Sequence, residues 1–393
     1  MEPKIRLKGF TGEWITRTLG SLGSVAMCKR IFKDQTSSKG DVPFYKIGTF
    51  GAAPDAFISR ELFLEYKSRF NYPQKGDILI SAAGTIGRAI EYQGDEAYFQ
   101  DSNIVWLDHN DEIENSFLKQ LYSVITWKGL EGATIKRLYN NIILETEINL
   151  PSKDEQQAIA SYFQHLDSLI QSITKKIESL KQVKAASLQS MFPQEGETTP
   201  RVRFKGFDGE WEKAIMGDIS TSFSGGTPLA GVEEFYGGNI PFIRSGEIGE
   251  DKTQLFITEQ GLSSSSARIV EKGTLLYALY GATSGEVSIS KIKGAINQAI
   301  LAIYPKNGYS SSYLAHYLRA KKDYIVGTLL QGGQGNLSGA LVKSVNLRLP
   351  KTLEEQQKIA DYFTNFDSQI TLQAQRLEKL KQIKSACLDN MFV

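Results

Sequence analysis

The chain has 393 residues, 41% of them hydrophobic, which is enough for two or three domains with sizeable cores. Its 45 basic against 44 acidic side chains exclude the bulk charge of a strongly basic nucleic-acid binder. The opening MEPKIRLKGF has no apolar signal-peptide core and no long apolar run follows, so a globular, cytoplasmic protein with no membrane contact is expected.

Charge is spread evenly, with 18 basic against 19 acidic residues over 1–150 and 16 against 13 over 200–349. Any contact with DNA would need basic residues gathered on one face of a neutral domain. Cys28 and Cys387 lie far apart, and His109, His165 and His316 have no ligand-like spacing. Free thiols and the absence of a metal site are expected.

In chain order, the first element is PKIRLKGFTGEW from Pro3, which returns without a gap as PRVRFKGFDGEW from Pro200. GDILISA from Gly76 reads as a strand that ends in a glycine turn, and SFLKQLYSVI from Ser116 reads as a short helix. LPSKDEQQAIASYF from Leu150 then opens a long helix. Pro151 and the acidic Asp154-Glu155 suit a helix start, and Ile159, Phe163, Leu166, Ile170, Ile173, Ile177 and Leu180 alternate steps of four and three like a coiled-coil seam. PQEGETTP from Pro193 has linker composition.

The second half repeats the plan. PFIRSGEIG from Pro241 faces PFYKIGTFG from Pro43, and GTLLYALYGATSG from Gly273 faces GDILISAAGTIG. SSYLAHYLRA from Ser311 is a second short helix, and LPKTLEEQQKIADYF from Leu349 opens a second long one. From Glu155 onward the two long helices align at a constant offset of 200, and Ile359, Phe363, Phe366, Ile370, Leu377 and Leu380 form the second seam, with Gln373 in place of an apolar residue. A solitary seam cannot bury its stripe, so the helices are expected to pair antiparallel, each spanning roughly 55 Å at about 1.5 Å per residue.

The expected class is α+β: two mixed domains separated by two long helices in an antiparallel coiled coil, with an internal pseudo-two-fold repeat. The expected boundaries are 1–150 for the first domain, 151–193 for the central helix, 194–199 for the linker, 200–349 for the second domain and 350–393 for the C-terminal helix.

Catalytic patterns are sparse. No phosphate-cradling P-loop is present, and no two prolines are adjacent, which excludes the Asn/Asp-Pro-Pro-aromatic motif of adenine methyltransferases. Pro54-Asp55 and Glu65-Tyr66-Lys67 fit the loose spacing of a metal-dependent nuclease, but QLFITEQGLSSSS, the matching stretch of the second half, keeps none of those charges. A solvated charged stretch is the plainer reading.

The polar loops suit DNA better. Gly84 and Gly87 let the backbone approach a surface closely, while Thr85 and Arg88 supply donors; Tyr280, Thr283 and Ser284 stand at the matching place. Asn and Gln can bond adenine, Arg and Lys guanine. That chemistry selects Gln100 and Asn103 facing Asn297 and Gln298, Lys136 and Arg137 facing Gln334 and Asn336, and Lys46 and Thr49 facing Arg244 and Ser245.

The LPSKDEQQAIASYF and LPKTLEEQQKIADYF openings, the GFTGEW and GFDGEW motifs, the strand-turn pairs and the LKQVKAASLQSMF and LKQIKSACLDNMF ends make the whole chain resemble the specificity (S, HsdS) subunits of type I restriction-modification systems. The resemblance implies that each variable domain is a target recognition domain for one half of a bipartite sequence in double-stranded DNA. It implies no catalytic activity and no cofactor of the subunit itself. Two modification subunits that methylate adenine N6 with S-adenosylmethionine would dock on it, together with two restriction subunits in a complex that uses ATP and Mg²⁺.

Partner docking and helix pairing would fall on Glu155, Gln156, Ile159, Tyr162, Phe163, Ile170, Ile177 and Leu180, and on Glu355, Gln356, Ile359, Tyr362, Phe363, Ile370, Leu377 and Leu380. Half-sites about 34 Å apart, one helical turn, would suit such a scaffold. The alternatives are a stand-alone nuclease using Asp55, Glu65 and Lys67, and a coiled-coil adaptor with no DNA role.

Overall fold

The computed structural model describes residues 2–127, 137–329 and 336–393. The chain divides into two compact units, Met1–Thr174 with Gln375–Val393, and Lys175–Ala374.

In unit 1 the central sheet has four antiparallel strands in the order Gly23–Met27, Ile104–His109, Ile78–Ser81 and Ala89–Glu91. The ILIS strand is buried along its whole length because both of its faces are covered. Side chains alternate across it: Ile78 and Ile80 join one core with Val105 and Leu107, while Leu79 joins another with Ile104 and Trp106. A smaller sheet orders Phe57–Ile58, Val42–Tyr45 and Tyr98–Phe99, the last pair parallel. The strand Ile15–Thr18 pairs with Glu147–Leu150, so the start of the domain closes on its end.

Unit 2 follows the same plan. Its central sheet runs Ser220–Ser224, Ile300–Pro305, Leu275–Ala278 and Val287–Ile289, its second sheet is built around Tyr236–Ile243 and Gly294–Ile296, and Glu212–Ile215 pairs with Asn346–Leu349. The short helices expected from Ser116 and Ser311 lie at Asn115–Val124 and Ser311–Ala320.

Both long helices form, at Lys153–Met191 and Leu353–Met391, each 39 residues long. Within each unit the early part of one helix lies antiparallel to the late part of the other. In unit 1 the Tyr162 hydroxyl meets Cys387 Sγ at 3.4 Å and Lys384 pairs with Asp167; in unit 2 Ser187 Oγ meets the Tyr362 hydroxyl at 3.1 Å and Lys184 pairs with Asp367. Partner numbers fall as helix numbers rise, which is the antiparallel order.

The repeated motifs, distant along the chain, meet in each unit. Arg6 donates from Nε and Nη2 to both oxygens of Glu155 at 2.8 and 2.7 Å, and from Nη1 to the Gly12 carbonyl at 2.6 Å. Arg203 does the same to Glu355 at 2.7 and 2.8 Å and to Gly209 at 2.6 Å. Beside each fork the tryptophan of the opening motif meets the phenylalanine that ends a long helix: Trp14 with Phe392, and Trp211 with Phe192, both at 6.5 Å and near perpendicular. Those phenylalanines lie on Phe163 and Phe363, each fully buried.

Two tests follow from these cores. Phe363→Ala should destabilise unit 2 by about 3–5 kcal/mol through the cavity it leaves, read as a lower urea midpoint. His316 is buried against Phe363 with Nε2 at 3.1 Å from Thr364 Oγ1. Burial, with Arg319 adding to it against the opposing pull of Asp367, lowers its pKa from 6.5 to about 4. The unfolded chain therefore takes up a proton that the fold refuses, and stability should fall as pH drops from 6.5 toward 4. His316→Asn should flatten that part of a urea-midpoint profile against pH.

Candidate nucleic-acid interface

In unit 1 four loops meet at one end of the sheets: 46–51 after the strand Val42–Tyr45, 82–88 between Ile78–Ser81 and Ala89–Glu91, 100–103 after Tyr98–Phe99, and 137–139. Backbone groups hold them together. Gln100 N donates to Tyr45 O, Ala82 N to Asn103 O, and Leu138 N to Ala82 O, each at 2.8 Å. Side chains add to this: Ile47 N donates to Gln100 Oε1 at 2.9 Å, Arg88 Nη1 to Phe50 O at 2.8 Å, and Arg137 Nη2 to Ser102 O at 2.8 Å.

Unit 2 reproduces the scaffold with other residues. Leu279 N donates to Ala299 O at 2.8 Å and Leu337 N to Leu279 O at 3.1 Å, the counterparts of the Ala82 and Leu138 bonds. Ala299 N donates to Asn297 Oδ1 at 3.1 Å, and Thr227 Oγ1 to Gln298 Oε1 at 2.6 Å.

The structure thus gathers most of the candidate side chains, unit by unit, but several are engaged in holding their own loops. Thr49 Oγ1 accepts from Lys46 N at 3.1 Å, Thr283 Oγ1 donates to Tyr280 O at 3.3 Å, and Ser284 Oγ to Leu279 O at 3.1 Å. Arg244 donates to both oxygens of Glu247 and to Gln254 Oε1. Burial pushes the Glu247 carboxyl up, but hydrogen bonds from Arg244, Thr253 and the backbone outweigh it and hold the group at about 2. Ser245 and Asn103 are half-buried. Gly84, Thr85, Tyr280, Gln298 and Asn336 are exposed. Lys136 and Gln334 lie outside the described residues.

Gly87 has a requirement of its own: φ is +79°, and a Cβ there would sit 2.6 Å from Trp127 Nε1. Gly285 in unit 2 repeats this against Val326 at 2.6 Å.

The helix residues expected to dock a partner need correction. Glu155, Gln156, Glu355 and Gln356 are each 1% exposed. The glutamates are taken by Arg6 and Arg203. The Gln156 side chain accepts from Glu114 N and donates to Glu112 O and Pro151 O, and Gln356 does the same with Ser310, Gly308 and Pro350. Ile159, Phe163, Ile359 and Phe363 are core. Tyr162 and Tyr362 are half-buried and bonded to Cys387 and Ser187. Ile177 is buried, while Ile170, Leu180, Ile370, Leu377 and Leu380 keep partial exposure. Glu155 and Gln156, with Glu355 and Gln356, fasten each helix to its domain and are themselves closed to a partner, whereas Gln157 and Gln357 beside them are exposed.

The nuclease residues are not assembled into one site. Asp55 pairs with Lys46 at 2.9 Å and Glu65 with Arg69 at 2.7 Å, while the Lys67 ammonium lies over the Tyr72 and Phe63 rings. Among the described residues no group of three or more His, Cys, Asp or Glu side chains could hold a metal ion. Both cysteines are free, and burial pushes the Cys28 thiol up to about 12, which makes it inert. Among the described residues no helix is long and apolar enough to cross a membrane.

The connection 28–41 carries Lys29, Arg30, Lys33 and Lys39, a local excess that vanishes when charge is averaged over a whole domain.

In each unit a loop cluster on a mixed domain is followed by a long helix. The family described as the type I restriction modification DNA specificity domain matches residues 11–182 and again 208–382. The chain belongs to this family of type I restriction-modification specificity subunits and carries its domain twice.

A putative type I restriction enzyme specificity subunit of Haemophilus influenzae is 54% identical over 159 residues, 40% of this chain and 41% of that protein. The MjaIX specificity subunit of Methanocaldococcus jannaschii is 31% identical over 194 residues, 47% of this chain and 44% of that one. The matches therefore span less than half the length of these two relatives. The S subunit of the type I restriction-modification system from M. genitalium shares the fold, with a TM-score of 0.67 at 19% identity over 100% of this chain and 99% of that one.

Gly87→Ala should cost about 1–3 kcal/mol, from the left-handed backbone and the displaced indole together. The check is a lower urea midpoint accompanied by a changed Trp127 emission.

Proposed function

We propose that this chain is the DNA-specificity subunit of a type I restriction-modification complex. Each loop cluster reads one half of a bipartite target in double-stranded DNA, and the long helices carry two modification subunits. The chain itself is non-catalytic: methyl transfer from S-adenosylmethionine to adenine, and any ATP- and Mg²⁺-dependent restriction, belong to the modification subunits and to two restriction subunits in the cytoplasm.

The observation that supports this reading best is the paired cluster. Two units keep the same backbone bonds, Ala82 with Asn103 and Leu138 in one, Leu279 with Ala299 and Leu337 in the other, while the side chains at their rims differ. A constant scaffold with different donors and acceptors is what two half-sites of different sequence require, since bases are discriminated by the side chains that reach their edges. Thr85 and Asn103 would serve one half, and Tyr280 and Asn336 the other, with Gln298, whose Oε1 is held by Thr227, offering only its amide nitrogen. Lys136 and Gln334 are proposed to take part on their sequence positions alone.

The test is a map of N6-methyladenine in the host genome with and without this gene. A two-part motif with an unspecified spacer should lose its methylation on deletion. An unchanged methylome in a strain that expresses the protein together with its modification subunit would overturn the reading.

A further inference from the structure

The recognition units differ in charge at one connection. In unit 1 the link between the strands Gly23–Met27 and Val42–Tyr45 carries Lys29, Arg30, Lys33 and Lys39 against Asp34 and Asp41, a net charge of +2. In unit 2 the link between Ser220–Ser224 and Tyr236–Ile243 carries only Glu233 and Glu234, a net charge of −2. The two links hold corresponding places in the fold but present opposite fields.

A cleft of about 520 Å³ opens against the unit 1 link, walled by Arg30, Phe32, Lys33, Lys46, Gln100 and Asp101. It continues the loop cluster, because Lys46 and Gln100 belong to both. Its two carboxylates already have partners: Asp55 is held by Lys46 at 2.9 Å and Asp101 by Arg30 Nε at 3.5 Å. Arg30 reaches Asp101 at 3.5 Å and its side chain is 68% exposed, so its guanidinium stays open to solvent. Lys33 is exposed and in no ion pair among the described residues. Phe32 between them is 56% exposed, a large apolar ring that folding leaves in water. Two cations flanking an exposed ring match a phosphate, its neighbour and the sugar that joins them.

We propose that this cleft grips the sugar-phosphate backbone of DNA beside the half-site read by unit 1. Arg30 and Lys33 meet phosphate oxygens, and Phe32 covers a deoxyribose. The corresponding link of unit 2 offers no cation, so the two half-sites are held with unequal electrostatic weight. The inference rests on the DNA-reading role above and adds where non-sequence-specific affinity comes from.

The experiment uses the full chain co-purified with its modification subunit and a duplex bearing the mapped target, with affinity measured across a salt series. Releasing two phosphate contacts in the double variant Arg30→Gln/Lys33→Gln should lower the slope of log affinity against log salt by about 2 while the sequence preference persists. Phe32→Ala should weaken binding without moving the slope. Lys293→Gln removes an exposed cation of unit 2 that pairs with Glu271 at 2.7 Å, and it should leave the slope unchanged. A double variant with the native slope, or a Lys293 variant that lowers it per charge as much, would overturn the cleft assignment while the recognition role stands. A native complex without sequence-selective binding would instead remove the recognition role itself.

Discussion

Each unit depends on a buried fork between an arginine and a glutamate. The Glu155 and Glu355 side chains are only 2% exposed, and an unpaired carboxylate so removed from water would be strongly destabilising. Arginine suits the position because its planar guanidinium meets both oxygens at once and still has a nitrogen for the carbonyl of Gly12 or Gly209. One side chain thereby fixes three points: the domain's first residues, the turn of its opening motif and the first turn of a long helix. The Trp–Phe–Phe contacts beside it add the tail of the other long helix. Loop placement, sheet closure and helix direction all depend on that junction.

With the junction fixed, the recognition end can vary. Its loops are held mainly by main-chain donors and acceptors, which every residue except proline provides, so side chains can change without releasing the loop. Unit 1 braces its loops with Arg88 and Arg137 where unit 2 uses Asn297, Gln298 and the Arg244–Glu247 pair, several of them at the surface. The polar chemistry of the rim is therefore partly structural, and only the exposed fraction of it is available to a base edge.

Near-neutrality takes on a different meaning at this level. A chain with one net positive charge still holds a local positive link beside one loop cluster and a negative link at the matching place of the other. Electrostatic attraction acts over roughly 10 Å at 0.1 M salt, so the arrangement of charges within a cleft outweighs the sum over the chain.

The sequence by itself determined the duplication, the two long helices, the buried ILIS and LLYA strands and the positions of the glycine turns. These are local signals: a period of two or of three and a half, or a glycine where φ must be positive, needs no knowledge of distant residues. It did not determine why the motifs repeat. GFTGEW, DEQQ and the terminal Met-Phe are separated by more than a hundred residues, and only the fold brings Arg6 to Glu155 and Trp14 to Phe392. Glu155 and Gln156 therefore read as a partner surface when they are internal fastenings, since nothing in a helical period tells a buried carboxylate from an exposed one. Which of the polar loop residues face solvent was likewise decided by tertiary structure, because a side chain is free to meet DNA only where no neighbouring loop has already taken its hydrogen bonds.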